Sequence, residues 1–400
     1  MKLTFLATRF PVLSETFVYE PLQWLHDAGV DVSVVASQLG SSKVEIPEQA
    51  TVHILASESG IPTVANSLSR SPLQSGATLW RYLSESNMRP LRRKTVWHAM
   101  LPAITGADAL VAHFGPTGSR WLAPAALAEK PLLVYFHGYD VGRVLAGRAG
   151  AYDGLFRSGA GLLTNSDFQR DRLIAAGAPP SRLSVLPLGV SPLCAPAAPV
   201  TYQGPPLVVT IGRLVPKKAI DDSIRAFGMG SRRAGAPWEY HIVGDGPLRG
   251  SLSQLVSDEG WKGNVRLRGF LARRDTIELL QNASVFVLAS RSAEDGDTEG
   301  TPVSILEAAS LGLPVVATRH AGIPETLPPE AAREGFLVEE RDIEGLSRAL
   351  ARLMASSDLR REWGEACRRH VERRHSASAF TDGLIDAVLN LAAVPSLQPT

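Results

Sequence analysis

The chain predicts an α/β fold of two doubly wound halves, each a parallel sheet covered by helices. Three observations carry that expectation. Short apolar runs rich in β-branched residues alternate with helix-like stretches along the sequence. The alternation breaks across the Pro- and Ala-rich stretch Pro192 to Pro206, which reads as a linker, and then restarts. The length of 400 residues is enough for two cores.

Taken in order, Leu3 to Ala7 reads as the first strand and Glu15 to Ala28 as a helix stopped by Gly29. Val30 to Ala36 is a second strand. Ala109 to Ala112, Leu132 to Phe136 and Leu162 to Thr164 follow, and Asp167 to Ala176 reads as a helix ending at Gly177. Beyond the linker the strand candidates are Leu207 to Ile211, Tyr240 to Val243, Val265 to Leu267, Val285 to Leu288 and Val315 to Thr318. An amphipathic helix is expected from about Ser376 to Leu391, and a disordered tail from Pro395 to Thr400. Ser57 to Ser75, rich in Ser and Pro, reads as an excursion. The domain expectation is 1–195, 196–375, and a last helix over 376–394.

Composition narrows the class of protein. Apolar content of 44% and charged content of 20% are those of an ordinary globular chain. A formal net charge of +1 argues against a nucleic-acid binder. Cys194 and Cys367 are the only cysteines and lie far apart, so neither a disulfide framework nor a metal-ligand spacing is present, which fits a reducing cytoplasm. The N-terminus lacks a signal-peptide pattern, and no run reaches the length of a membrane span. Arg89 to Lys94, with Trp80, Trp97 and Leu101 nearby, reads either as a solvated basic face or as a contact for anionic lipid.

The chemistry concentrates in the second half. Glu299-Gly300-Thr301-Pro302 precedes a short helical run that contains Glu307 and ends at Gly312. Thr301 is placed as the N-cap, with Pro302 in the first turn. Leu313 to Thr318 then reads as a buried strand. A helix N-terminus offers N–H groups to phosphate, and carboxylates accept from sugar hydroxyls. Earlier, Val208 to Ile211 runs into Gly212, Arg213, Lys217 and Lys218, a glycine turn and basic loop suited to a diphosphate. Ile242 to Leu248 contains Gly244, Asp245 and Gly246, a strand-to-loop turn. The segment Arg266 to Phe270 is a candidate wall for the base, with Phe270 or Leu271 available for backbone or stacking contact.

These residues resemble the retaining GT-B glycosyltransferases of the family 4 / group 1 type. Glu299, Gly300, Pro302, Leu306, Glu307, Ala308, Gly312, Pro314, Val315 and Val316 fall in register with that family's paired-glutamate signature. The resemblance implies two Rossmann-like domains facing across a cleft. It implies that Glu307 holds the donor's ribose and Glu299 lies beside the transferred sugar. It implies that Arg213 and Lys218 stabilise the leaving nucleoside diphosphate. The family usually has glycine where this chain has Ala219, so a tighter loop is expected.

The first half is read as the acceptor side. His137 ends an apolar run in His137-Gly138-Tyr139-Asp140, and the resemblance points it at the transferred sugar. His113 takes a similar position and is a second candidate. Asp140 reads as a ligand for a sugar hydroxyl or as a helix cap. Ser166 matches a serine at a strand end. Ser14 and Glu15 stand where many family members carry two glycines, and Ser14 reads as a cleft residue or as a helix N-cap. The Phe10 to Phe17 segment, with Asp295, Asp297 and Glu299, is similar to the subgroup that builds colanic acid and amylovoran exopolysaccharides.

The implied reaction is retaining transfer of a sugar from a nucleoside-diphosphate donor to a hydroxyl of a glycan or lipid-linked acceptor. No prosthetic group and no metal are expected, and Asp295 and Asp297 are read as solvated loop acids. The expected location is cytoplasmic, with peripheral contact at the inner membrane's cytoplasmic face as an option. Two other classes compete: a sugar-nucleotide epimerase of the same fold, and a non-catalytic sugar-nucleotide binder.

Overall fold

The computed structural model describes residues 1–41, 44, 46, 47, 50–55, 101–191 and 205–392. The Ser57 to Ser75 excursion, the basic Arg89 to Lys94 segment with Trp80 and Trp97, Cys194, the stretch Pro192 to Gly204 and the tail Pro395 to Thr400 lie outside the described residues.

The first sheet contains β1 (Lys2–Phe10), β2 (Asp31–Leu39), β3 (Thr51–Ile54), β4 (Ala109–His113), β5 (Leu132–Phe136), β6 (Gly161–Thr164) and β7 (Leu183–Val185). The second contains β8 (Leu207–Ile211), β9 (Glu239–Val243), β10 (Val265–Gly269), β11 (Val285–Leu288), β12 (Val315–Thr318) and β13 (Leu337–Val338). Their orders are β3-β2-β1-β4-β5-β6-β7 and β10-β9-β8-β11-β12-β13, with parallel pairing. Both sheets therefore reverse direction beside their first strand, at β1/β4 and at β8/β11. Loops at the carboxyl ends of such switch points diverge and leave a crevice for a ligand.

Period-2 alternation sends β1 into two cores. Leu3, Phe5 and Ala7 join one apolar cluster, and Leu6 joins the other with Val35, Leu110, Val134 and Phe136. A sheet buried on both faces cannot show polar alternation, which is why its strands read as continuous apolar runs.

The helix Ala377–Ala392 returns to the first half. Phe380 meets Trp24 edge-on at 5.8 Å and Tyr135 at 6.3 Å. Ser376 forms a β-bridge with Val190, and His375 Nδ1 lies 2.9 Å from the Leu188 carbonyl. No described helix is long and apolar enough to cross a membrane.

Two capping expectations are corrected. Ser14 is exposed, and the first helix spans Thr16–Asp27 with Glu15 at the cap position and no side-chain cap. A turn from Val12 to Glu15 occupies the chain there, closed by Glu15 N donating to Val12 O at 2.9 Å. The helix Val303–Ser310 begins after Pro302, which sits at the cap position, so Thr301 does not cap it. Thr301 turns its hydroxyl to the other half of the molecule instead.

Candidate active site

The cleft floor is built by the loops after β8 and β11. The turn Pro216–Lys218 closes with Ala219 in the left-handed region, at φ 43° and ψ 46°. That conformation disfavours any side chain, which accounts for the glycine common elsewhere at this point. The turn aims two lysines inward. Lys218 Nζ lies 2.9 Å from Glu299 Oε1, and both side chains are buried. Ser290 Oγ donates to the same oxygen at 3.3 Å. Burial opposes charge on both partners. It pulls the Lys218 ammonium below its ordinary range against the pull of Glu299. Burial would raise the Glu299 carboxyl, but Lys218 and Lys217 together hold it at about 2. Glu299 is thus ionised at neutral pH.

Lys217 is structural. Its ammonium donates to Asp297 Oδ1 at 3.0 Å and to the Thr298 carbonyl at 2.9 Å. Asp297 is accordingly not the solvated acid expected, because a buried lysine needs its charge. Asp295 lies 3.7 Å from Arg143 at the surface. Among the described residues no cluster of His, Cys, Asp or Glu could hold a metal ion. His320 fixes the backbone beneath Glu299: its Nε2 accepts from Glu299 N at 3.0 Å, which leaves Nδ1 to donate to Glu340 Oε1 at 2.6 Å.

Three glycines of this half, Gly212, Gly244 and Gly246, serve close chain approach. A Cβ at Gly244, where φ is +132°, would lie 2.0 Å from the Gly212 carbonyl, and one at Gly246 would lie 2.5 Å from the Leu214 carbonyl. The β9 loop is thereby pressed onto the Gly212–Leu214 segment. At Gly212 an added Cβ would meet the Lys218 stem at 3.1 Å. Arg213 is exposed beside this loop and acts electrostatically on Lys218 and on Glu15.

Glu307 takes a different partner. Its Oε1 is gripped by Nη1 of Arg273, from the helix Arg273–Gln281, and Nη2 of the same guanidinium lies 2.9 Å from Glu20 Oε1 in the first half. Burial raises the Glu307 carboxyl, and Arg273 opposes that rise. Glu20 is pushed up to about 7 by burial, again against Arg273. Sequence reasoning missed both residues. Arg273 sits in an ordinary charged helix start and Glu20 on a helix face, so neither carries a local signal.

Opposite the floor stand the β1, β4 and β5 ends. His137 and His113 are buried and stacked, with centroids 5.5 Å apart and planes 8° apart. His113 Nδ1 and His137 Nε2 lie 3.3 Å apart. Phe17, Phe114 and Tyr135 pack around the His137 ring. Burial holds both imidazoles neutral, His113 at about 3 and His137 well below its ordinary range. Asp140 is fully buried and accepts from His137 N at 2.8 Å and Tyr152 Oη at 3.3 Å. It thus holds the strand end in place, and burial lifts it to about 7. Ser166 caps the helix Asp167–Ala175 by accepting from Gln169 N at 3.3 Å. Glu15 is half-buried and raised by burial to about 7, with Arg213 pulling it down.

The two walls touch where side chains are absent. A Cβ at Gly138 would lie 2.5 Å from Gly300 N, and one at Gly300 would lie 2.4 Å from Gln169 Nε2. Thr301 Oγ1 reaches the carbonyl of Asn165 at 3.3 Å and its side-chain oxygen at 3.1 Å. Lower down, Glu325 accepts from the backbone N–H groups of Asp167 and Phe168 at 2.8 and 3.0 Å, and Arg374 lies 3.2 Å from it. The structure therefore gathers Lys218, Glu299, Gly300 and Thr301 against Gly138 and Asn165, while Ser14 stays exposed and Phe270, 52% exposed, stands free after β10.

Two parallel α/β sheets with their switch points turned to one cleft define a GT-B glycosyltransferase architecture. The family described as Glycosyl transferases group 1 matches residues 196–370, and the Glycosyl transferase 4-like domain matches residues 14–189. The chain is 31% identical over 376 residues to the Escherichia coli K12 protein named as colanic acid biosynthesis glycosyltransferase WcaL, covering 88% of this chain and 90% of that one. It is 30% identical over 382 residues to the amylovoran biosynthesis glycosyltransferase AmsK of Erwinia amylovora, with the same coverage. Among solved structures, Anabaena Alr3699/HepE in complex with UDP superposes with a TM-score of 0.69 at 18% identity, covering 98% of this chain and all of that one. The chain belongs to the group 1 glycosyltransferase family, with a glycosyl transferase 4-like first half.

Proposed function

We propose that the protein transfers a sugar from a nucleoside-diphosphate sugar to a hydroxyl of a glycan or lipid-linked acceptor, with retention at the anomeric carbon, in bacterial exopolysaccharide biosynthesis. The observation that carries this reading is the buried Lys218–Glu299 pair at 2.9 Å, set against Gly138 at the end of the His137 strand. Without donor, each charge neutralises the other. An incoming diphosphate competes for Lys218 with the help of exposed Arg213, and frees Glu299 to face the sugar. As the glycosidic C–O bond breaks, negative charge grows on the diphosphate and positive character on the ring. Lys218 and Arg213 stabilise the first and Glu299 the second. The departing phosphate oxygen takes the acceptor's proton, so neutral His137 serves as a wall and not as a base.

Gly212, Gly244 and Gly246 shape the phosphate side, and Gly300, Thr301 and Pro302 lead the helix that carries Glu307. Glu15, His113, Asp140 and Ser166 belong to the acceptor side, with Asp140 and Ser166 as supports. The names of the WcaL and AmsK relatives support exopolysaccharide assembly, and the UDP in HepE supports a nucleotide donor. The reaction needs no metal and takes place in the cytoplasm, at the inner membrane when the acceptor is lipid-linked.

The test is transfer from a panel of nucleoside-diphosphate sugars, with the product's anomeric configuration read by NMR. Glu299→Gln should cut turnover by roughly 10²-fold or more while donor affinity persists. An inverted product, or no transfer from any donor, would overturn the proposal.

A further inference from the structure

The guanidinium between Glu20 and Glu307 has no role in the reaction as described so far. It joins three side chains from two halves of the molecule: Arg273 Nη1 on Glu307 Oε1 and Nη2 on Glu20 Oε1 at 2.9 Å. Glu307 is buried, and Arg273 is about one-third exposed at 36%. Taking such a group out of water costs about what the ion pairs return, so net stability does not explain it. Glu307 Oε2 makes no hydrogen bond to any described residue, so half of the carboxylate remains available.

We propose that Arg273 is a positioning residue of the donor site: it pins Glu307 Oε1 so that Oε2 accepts from the donor's ribose, and it ties that contact to Glu20 of the opposite half. The inference rests on the reading of Glu307 as the ribose holder. A fork with two parallel donors can serve two carboxylates at once, which a lysine's point charge does less well. The groups facing Glu307 are Arg273 from its own half, and Glu20 and Tyr19 from the helix Thr16–Asp27. Two carboxylates share one cation: burial raises both, Glu20 to about 7, and Arg273 opposes the rise in each.

The experiment is calorimetric titration of the full chain with UDP, GDP, ADP, CDP and dTDP, then with the 2′-deoxy and 3′-deoxy forms of whichever ribonucleotide binds. Arg273→Gln should weaken the ribonucleotide by roughly tenfold or more and the deoxy form far less. Its affinity should recover as pH rises, because a buried Glu307 without its cation ionises only at higher pH. In turnover, KM should rise more than kcat falls. Arg273→Lys keeps the cation without the fork and should fall between the two.

Arg273→Gln binding as tightly as the parent, or losing ribose and deoxyribose forms equally, would overturn the inference. Should Arg273→Gln fail to fold, Arg273→Lys decides alone: unchanged discrimination between ribose and deoxyribose overturns the inference. Glu307→Gln separates the levels. If it keeps full ribose discrimination, or if no nucleotide binds the parent, the donor reading itself fails; if it loses discrimination while Arg273→Gln keeps it, only the role of Arg273 fails.

Discussion

Glu299 and Glu307 stand eight residues apart, and their surroundings push their carboxyls in opposite directions. Both are buried, at 6% and 4% exposure. Glu299 faces two lysines and is held at about 2. Glu307 faces one arginine that Glu20 also claims, and its carboxyl is raised. Burial acts on both alike, so the difference lies in the ratio of cations to carboxylates. The first glutamate is a fixed negative charge beside the expected phosphate and sugar. The second is an acceptor whose charge depends on a shared cation, beside the proposed place of the donor's ribose hydroxyls.

Removing the stronger partner is the largest way to break this contrast. Lys218→Met leaves Glu299 buried with only Lys217 near. It should cost about 3–5 kcal/mol of stability, read from urea unfolding, and abolish transfer. Glu299→Gln leaves a lysine next to a neutral amide and should be milder in stability, though as damaging to turnover. If Lys218→Met unfolds at the parent's urea midpoint, the ion pair is not what holds the floor.

The pH dependence of stability should separate Glu299 from the carboxyls that burial raises, by sign. Glu299 has a folded value below its unfolded value of 4.5, so its stabilisation is present above about 4.5 and is lost as pH falls toward 2. Glu15 and Glu20 are raised from 4.5 to about 7, and Asp140 from 3.8 to about 7. Their contribution is full below the unfolded values and is lost as pH rises to 7. Between pH 5 and 7 these carboxyls lower the melting temperature of the donor-free protein as pH rises, while buried His113, His137 and His375, held below 6.5, raise it, so the carboxyl contribution is read as variant against parent. Glu20→Gln should remove its share of the falling contribution between pH 5 and 7 and leave the acid limb unchanged; Glu299→Gln should do the reverse. A Glu20→Gln melting temperature that runs at a constant offset from the parent's between pH 5 and 7 would contradict the assigned shift of Glu20.

The smallest effect tests the backbone beneath Lys218. Ala219 sits at φ 43° with its side chain buried. Ala219→Gly should relieve left-handed strain and stabilise by about 1 kcal/mol, seen as a higher urea midpoint with an unchanged slope. A loss of stability would mean that the buried methyl contributes more than the strain costs.

The strands Leu132–Phe136, Leu207–Ile211 and Val285–Leu288 stand where their apolar runs placed them, because parallel strands buried on both faces write themselves as unbroken β-branched stretches. Short edge strands such as Leu183–Val185 and Leu337–Val338 left no such signature. Thr301 shows the limit for local rules. Its position beside Pro302 suggests a cap, yet a longer-range partner, Asn165, 136 positions away, takes the hydroxyl.

The sequence by itself determined the alternating architecture and the identity of the residues suited to phosphate and hydroxyl chemistry, since those follow from periodicity, glycine and charge at short spacing. Only the tertiary structure decided which charges meet: Lys218 with Glu299 across 81 positions, and Arg273 with Glu20 across 253. Ionic partners are chosen by what the sheets bring within about 3 Å and by what burial leaves unsatisfied, and neither is a property of neighbours along the chain.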